Sequence, residues 1–248
     1  MSLVNIESHE NVAVVRLNNG VINAINTDLI EALSQALRRV KREFKGMVLA
    51  GGEKFFCIGL DLPVLLKLDR AGMSEFWGKF DQIVLDLYAL PIPTACAIGG
   101  HAIAGGTIFA LTCDYRFAAA GRNLMGLNEI NIGVPVPVLP DLILRQIIGD
   151  RAATEVVYRG ELIEPEAAQE IALIDAVFPE DHLEDRAVEK IAELAVLSQP
   201  AFSFIKENRV RQNCLIFEQK RAVDKEKFLD CWFREPVREL LAEAARKF

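Results

Sequence analysis

Val12-Ala13-Val14-Val15-Arg16-Leu17 and Met47-Val48-Leu49-Ala50 are two short, largely aliphatic runs that stand on either side of one amphipathic segment. Each has the length and composition of a buried strand. Asn18-Asn19-Gly20 ends the first run with turn residues, and Asn26-Thr27-Asp28 then supplies side chains that start helices. Leu29, Ile30, Leu33, Leu37 and Val40 recur at helical spacing as far as Phe44, and Gly46 is expected to stop the helix there. Strand, helix, strand in this order is the unit from which α/β folds are built.

Outward from this unit the same alternation continues. Thr94-Ala95-Cys96-Ala97-Ile98 and Tyr115-Arg116-Phe117-Ala118-Ala119 read as a third and a fourth strand, and Leu173 to Phe178 as a further one. A short helix is expected after Asp61, and a longer one from about Met73 to Leu90, closed by Pro91 and Pro93. Ala104 to Thr112 reads as a buried helix that opens on glycines. From Pro137 onward the pattern is mostly helical, and from Leu183 to Phe248 it is helical and amphipathic. No linker, repeat or low-complexity stretch interrupts the chain. The expectation is an α/β core over residues 1–190 with a helical C-terminal region over 191–248.

Composition narrows the classes. At 248 residues the chain is long enough to bury a large core. A formal charge of −7 gives no general attraction for nucleic acid or anionic lipid. Cys57, Cys96, Cys113, Cys214 and Cys231 are odd in number and scattered, with no C-x-x-C pair, which points to reduced thiols in the cytoplasm and to no metal site. The N-terminus lacks the pattern of a signal peptide. Ala95 to Thr112, the least polar run, is broken by glycines and His101, so no membrane span is expected.

Three segments each combine a strand end with glycines and a helix start. In Phe55-Phe56-Cys57-Ile58-Gly59-Leu60-Asp61-Leu62, Gly59 permits a tight turn, Asp61 can cap the following helix, and the Leu60 amide is left free to point at a ligand. In Gly99-Gly100-His101-Ala102-Ile103-Ala104-Gly105-Gly106-Thr107, the Gly105 amide lies at the start of a helix. Two such amides converging on one carbonyl oxygen make an oxyanion hole. Taken singly, glycine pairs after strands mostly just make tight turns or close helix packing. The third segment, Gly126-Leu127-Asn128-Glu129-Ile130-Asn131-Ile132-Gly133, carries the one acid between Asp114 and Asp141. Apolar surroundings raise a carboxyl pKa toward the range of a general base, while pairing with Arg122 would leave it structural. The nucleotide fingerprints G-x-G-x-x-G and G-x-x-x-x-G-K-[ST] are absent.

Taken together, these segments resemble the crotonase (enoyl-CoA hydratase/isomerase) superfamily over essentially the whole chain. Asn23-Ala24 within Leu17 to Ile25 is similar to that family's first CoA-contacting stretch. Phe56 to Leu62 resembles its F-C-A-G-x-D-L motif, and Thr94 to Thr107 its strand and glycine triplet. Tyr158 to Ala168, followed by Ile174 to Val177, resembles a later family segment. The resemblance implies a spiral of ββα turns, homotrimers or dimers of trimers, and an acyl-CoA substrate that itself brings the coenzyme A, with no other cofactor. It places the thioester oxygen on the Leu60 and Gly105 amides, Glu129 as the catalytic acid/base, and Asn23, Ala24, Ile58, Gly59, Asp61 and Ile108 against the substrate. Enoyl-CoA hydratases use two glutamates, and the first of those positions is Ile108 here, so the resemblance favours a single-glutamate Δ3,Δ2-enoyl-CoA isomerase. Ile58, Gly99 and Ala104 depart from the usual alanine, asparagine and glycine.

Two other classes compete. Hydration, decarboxylation or hydrolysis of a thioester would use the same oxyanion hole. A non-catalytic CoA- or RNA-binding homologue would exploit the basic group Arg38, Arg39, Lys41, Arg42 and Lys45, although basic residues near a helix C-terminus also simply complement its dipole. His101 is expected to be a hydrogen-bonded structural histidine.

Overall fold

Val12, Val14, Val48, Ala50, Ala95 and Ala97 turn to one face of a sheet whose opposite face carries Ala13, Val15, Met47, Leu49 and Cys96. A strand that alternates between two buried faces reads as an unbroken apolar run, which is why these strands were visible in the sequence. The computed structural model describes residues 2–246; Met1 and the last two residues of the helical stretch expected to reach Phe248 lie outside the described residues.

The large sheet runs β1 (Val4–His9), β2 (Val12–Leu17), β3 (Gly46–Ala50), β5 (Thr94–Ile98), β7 (Tyr115–Ala119), β9 (Ala176–Phe178). Only the β1–β2 pair is antiparallel. A second sheet, wholly parallel, contains β4 (Phe55–Cys57), β6 (His101–Ile103) and β8 (Met125–Gly126). Three times in succession the chain leaves a large-sheet strand, adds a small-sheet strand and turns into a helix or helical turn: α2 (Leu62–Leu65), α4 (Gly105–Leu111) and a 3-10 turn at Glu129–Ile132. This is the ββα spiral implied by the motifs. Because β4, β6 and β8 are parallel neighbours, their C-terminal ends fall side by side.

The helices cover both faces. α1 (Thr27–Glu43) and α3 (Arg70–Tyr88) pack together over the main core, and α8 (Glu180–Ala195) lies on the opposite face with Leu183, Ala187 and Ile191 buried. Between them in the chain come α5 (Val138–Ile148), α6 (Asp150–Arg159) and α7 (Pro165–Glu170). The long α9 (Gln199–Trp232) runs against α3 and α5, and α10 (Glu235–Ala245) returns to α2. The helical region expected from residue 191 onward thus begins inside α8. Among the described residues no helix is long and apolar enough to cross a membrane.

Two local expectations change. α1 ends at Glu43 with Phe44 as its cap, before Gly46, which opens β3 instead. Gly46 is there for contact: a Cβ would sit 2.3 Å from Ile191 Cγ2 on α8. The expected strand from Leu173 shortens to Ala176–Phe178, because Ala172 takes a left-handed turn (φ 59°) and buries Leu173 and Ile174 in the loop.

Candidate active site

The ends of β4, β6 and β8 each deliver one chemical group. After β4, Gly59 adopts φ +91°, a conformation that favours glycine, and turns the Leu60 amide away from the strand. After β6, Ala104 holds φ 49° and ψ −113° and the Gly105 amide opens α4. The two loops touch: a Cβ on Gly59 would lie 3.0 Å from the Gly105 nitrogen. Among the described residues neither the Leu60 nor the Gly105 N–H donates a hydrogen bond within the protein. Gly105 is buried and Leu60 partly buried, and donors left open beside one another in such places are the exception in folded chains.

After β8 comes Glu129, in a 3-10 turn closed by Gly133 in the left-handed region. Its side chain is buried, 5% exposed, and Oε2 has no hydrogen-bond partner among the described residues. Arg122 stays on the surface, so the salt-bridge alternative is not what this loop builds. Burial without a compensating charge pushes the Glu129 carboxyl up to about 7.

Leu60, Gly105 and Glu129 line one cavity of about 270 Å³, together with Ile58 and Ile108. Its walls also include Trp77 and Phe80 from α3, Ile132 and Val134 beyond the 3-10 turn, and Phe228 from α9. Glu129 is the one ionisable side chain among the described lining residues. A concave apolar site with a few convergent polar groups and one perturbed acid has the general form of a small-molecule site. A larger open groove of about 1180 Å³ passes Arg16, Gly52, Lys54 and Glu180, but it contains neither Glu129 nor the two open amides.

The remaining expected residues stand behind this surface. Asn23 (φ 48°) accepts from the Asn19 N–H at 2.8 Å and donates to the Phe56 carbonyl at 3.1 Å, tying the first loop to β4. Beside it, Ala24 is buried, and Ile25 clamps the turn, with Ile25 N–H donating to Gly59 O at 2.7 Å and Asp61 N–H to Ile25 O at 2.9 Å. Asp61 caps α2 through Val64 N–H and accepts from Asn26 Nδ2. Asn23, Ala24 and Asp61 therefore lie outside the cavity and hold the Gly59–Leu60 turn in place. Thr107 does the same for the second loop, donating to Ala102 O at 2.6 Å and accepting from Gly126 N–H at 3.0 Å. Cys57 is fully buried beneath the first turn and accepts from Gly59 N–H through Sγ at 3.4 Å. His101 accepts from Leu124 N–H through Nδ1, a structural role as expected.

Nothing in the sequence marked Trp77, Phe80, Ile132 or Val134 as cavity residues. Trp77 and Phe80 lie three apart on α3, a spacing that signals a buried face but does not say whether it borders a core or a cavity. A grouping of Glu7, His9 and Glu184 also escaped notice, since Glu184 is remote in sequence; their ligand atoms lie within 4.8 Å of one another. Arg16 holds both carboxylates, at 3.1 Å and 2.8 Å, and already supplies the positive charge there. At the basic end of α1, Arg39 and Arg42 both engage Glu43, and Arg38 donates to Ser34.

A family model described as enoyl-CoA hydratase/isomerase matches residues 7–242. The chain belongs to the enoyl-CoA hydratase/isomerase family. Within it, the chain is similar to human mitochondrial enoyl-CoA delta isomerase 1, 27% identical over 243 residues that cover 96% of this chain and 80% of the human protein. Mouse mitochondrial methylglutaconyl-CoA hydratase is 28% identical over 193 residues, 76% of this chain and 61% of that protein. The crystal structure of human mitochondrial delta3-delta2-enoyl-CoA isomerase superposes with a TM-score of 0.95 at 26% identity, covering 99% of this chain and 97% of that one. Enoyl-CoA hydratase from Bacillus halodurans gives 0.89 at 20% identity, covering 98% and 100%, and shares the fold. The family therefore includes both isomerases and hydratases, and the residues of the cavity must separate them.

Proposed function

We propose that this family member is a Δ3-to-Δ2-enoyl-CoA isomerase with Glu129 as its single acid/base. The observation that carries the reading is that Glu129 is the one ionisable side chain, among the described residues, in the cavity that also holds the open Leu60 and Gly105 amides. Ionised Glu129 takes a proton from C2 of a 3-enoyl thioester. The electron pair moves into the thioester carbonyl, and the resulting enolate oxygen is stabilised by the two N–H groups. Protonated Glu129 then returns the proton at C4, the C2–C3 double bond forms, and the oxygen gives back its charge. One carboxyl reaching both carbons suffices for this shift. Hydration asks for a second group to activate water, and the position that would supply it is Ile108, whose aliphatic side chain lines the cavity.

The same reading proposes no cofactor beyond the coenzyme A of the substrate, a homotrimer or dimer of trimers, and a cytoplasmic enzyme. Phe228 of α9 and Ala244 of α10 line the cavity, and in this reading residues 191–248 act as its cover.

The test is turnover of a panel of 3-enoyl-CoA esters, followed by the absorbance of the conjugated 2-enoyl thioester. The wild-type chain is expected to convert them without adding water. Glu129→Gln is expected to lower kcat by about 10²–10⁴-fold, the range contributed by a positioned acid/base. Formation of 3-hydroxyacyl-CoA as the main product, or near-normal turnover by Glu129→Gln, would overturn the reading.

A further inference from the structure

A second chamber of about 240 Å³ lies behind the aromatic side of the acyl cavity. The two spaces share Trp77, Pro135, Pro137 and Phe228 as common wall. Trp77 of α3 and Phe228 of α9 stack across that boundary, with ring centroids 3.4 Å apart and planes inclined by 17°. Both side chains are buried, and each is held by a further ring. Phe80 lies 5.3 Å from Trp77, and Trp232 lies 5.7 Å from Phe228. Close-packed rings anchored from both sides do not swing aside for a ligand without disturbing the core.

Chemistry changes at this wall. Ile108, Ile132 and Val134 face the acyl side, whereas Asp81, Lys220, Arg221, Asp224 and Lys225 line the far chamber. Asp81 is 5% exposed and its carboxyl makes no hydrogen bond among the described residues; its near cation is Arg221 Nε, 4.0 Å away. Arg221 is otherwise committed to Gln82 and to the Gly78 carbonyl. One oxygen of Asp224 is likewise buried without a partner. Burial pushes the Asp81 carboxyl up to about 7. A hydrocarbon tail entering this chamber would take hydration from charged groups and offer nothing in return.

Resting on the isomerase reading of the neighbouring cavity, we infer that the Trp77–Phe228 stack is the stop that sets acyl chain length. The substrates are thioesters whose hydrocarbon end reaches the rings, and longer chains are rejected at that point. Steric closure excludes them first, and the charged chamber disfavours any chain that forces a way through.

Binding of saturated acyl-CoA esters of increasing length, measured by calorimetry, tests this without turnover. In the wild-type chain, affinity should rise by about fourfold per methylene while the tail is being buried, then level off or fall where it meets the stack. Phe228→Leu and Trp77→Leu should each move that break toward longer esters, and adding Asp81→Leu to Phe228→Leu should strengthen binding of the longest ones. An unbroken rise in the wild-type chain as far as palmitoyl-CoA would overturn the inference, as would a break unmoved in a folded Phe228→Leu. Should Trp77→Leu fail to fold, the wild-type profile and Phe228→Leu still decide. Failure of the isomerase reading would show differently, as a chain-length break with no double-bond shift.

Discussion

Glu129 concentrates the conflict between folding and chemistry in one side chain. Its carboxyl stands at about 7 instead of 4.5, because burial penalises the ionised form. For an acid with a raised folded pKa, the stabilising contribution is intact below about 4.5 and is lost progressively as pH rises to about 7. Replacing it by the neutral isostere should therefore stabilise the chain at pH 8, by at most about 3 kcal/mol, and should make no titration-linked difference at pH 4. Urea unfolding of the wild-type chain and of Glu129→Gln at both pH values checks this; a variant less stable at pH 8 would mean that the carboxylate has a partner. In the proposed isomerase the same titration makes kcat/KM rise with pH through about 7, since a general base works ionised. Glu129 was legible in the sequence as a lone acid among aliphatic residues. Its lack of a partner was not, because pairing depends on where Arg122 ends up.

Three parallel strand ends set the geometry of the site, and glycines decide how closely those ends approach. A Cβ on Gly106 would lie 2.0 Å from the Cys57 carbonyl oxygen and 2.8 Å from its carbon. Main-chain atoms cannot rotate out of the way, so Gly106→Ala must lift α4 off β4 and part the two loops that carry the open amides. A loss of about 1–3 kcal/mol is expected, with a fall in turnover. Gly78, inside α3, meets nothing within 4 Å, and the same substitution there should stabilise by about 0.5–1 kcal/mol. Thermal melts of the two variants should shift in opposite directions. The sequence exposed the large sheet because its strands are continuous apolar runs, but it concealed β4, β6 and β8, which at two or three residues are too short to show any period. β1 was concealed for another reason: most of its residues face solvent.

At the scale of the whole molecule, one buried cation ties the helical C-terminal region to the sheet. Lys206 on α9 is 4% exposed and donates to Asp114 at 2.7 Å and to the Ile92 carbonyl at 3.0 Å. Lys206→Ala takes the cation from Asp114 and leaves it the two hydrogen bonds from the Thr94 N–H and Oγ1 at 2.9 Å and 3.0 Å. Because Asp114 is 28% exposed and partly hydrated, the loss belongs at the lower end of the about 3–5 kcal/mol seen when a buried pair is broken. A change below about 1 kcal/mol in urea unfolding would show that this ion pair adds little to the docking of α9. Neither this link nor the Trp77–Phe228 wall could be read from the sequence, since each joins residues more than ninety positions apart. The arrangement of the thiols follows from the same global burial. Cys57, Cys96 and Cys113 are sealed inside, Cys214 and Cys231 are partly open, and the Cys57 thiol is pushed up to about 12. Alkylation proceeds through the thiolate. A maleimide therefore reads the folded chain as two reactive sulfurs and the opened chain as five, so the mass added over time becomes a clock for the opening of the core.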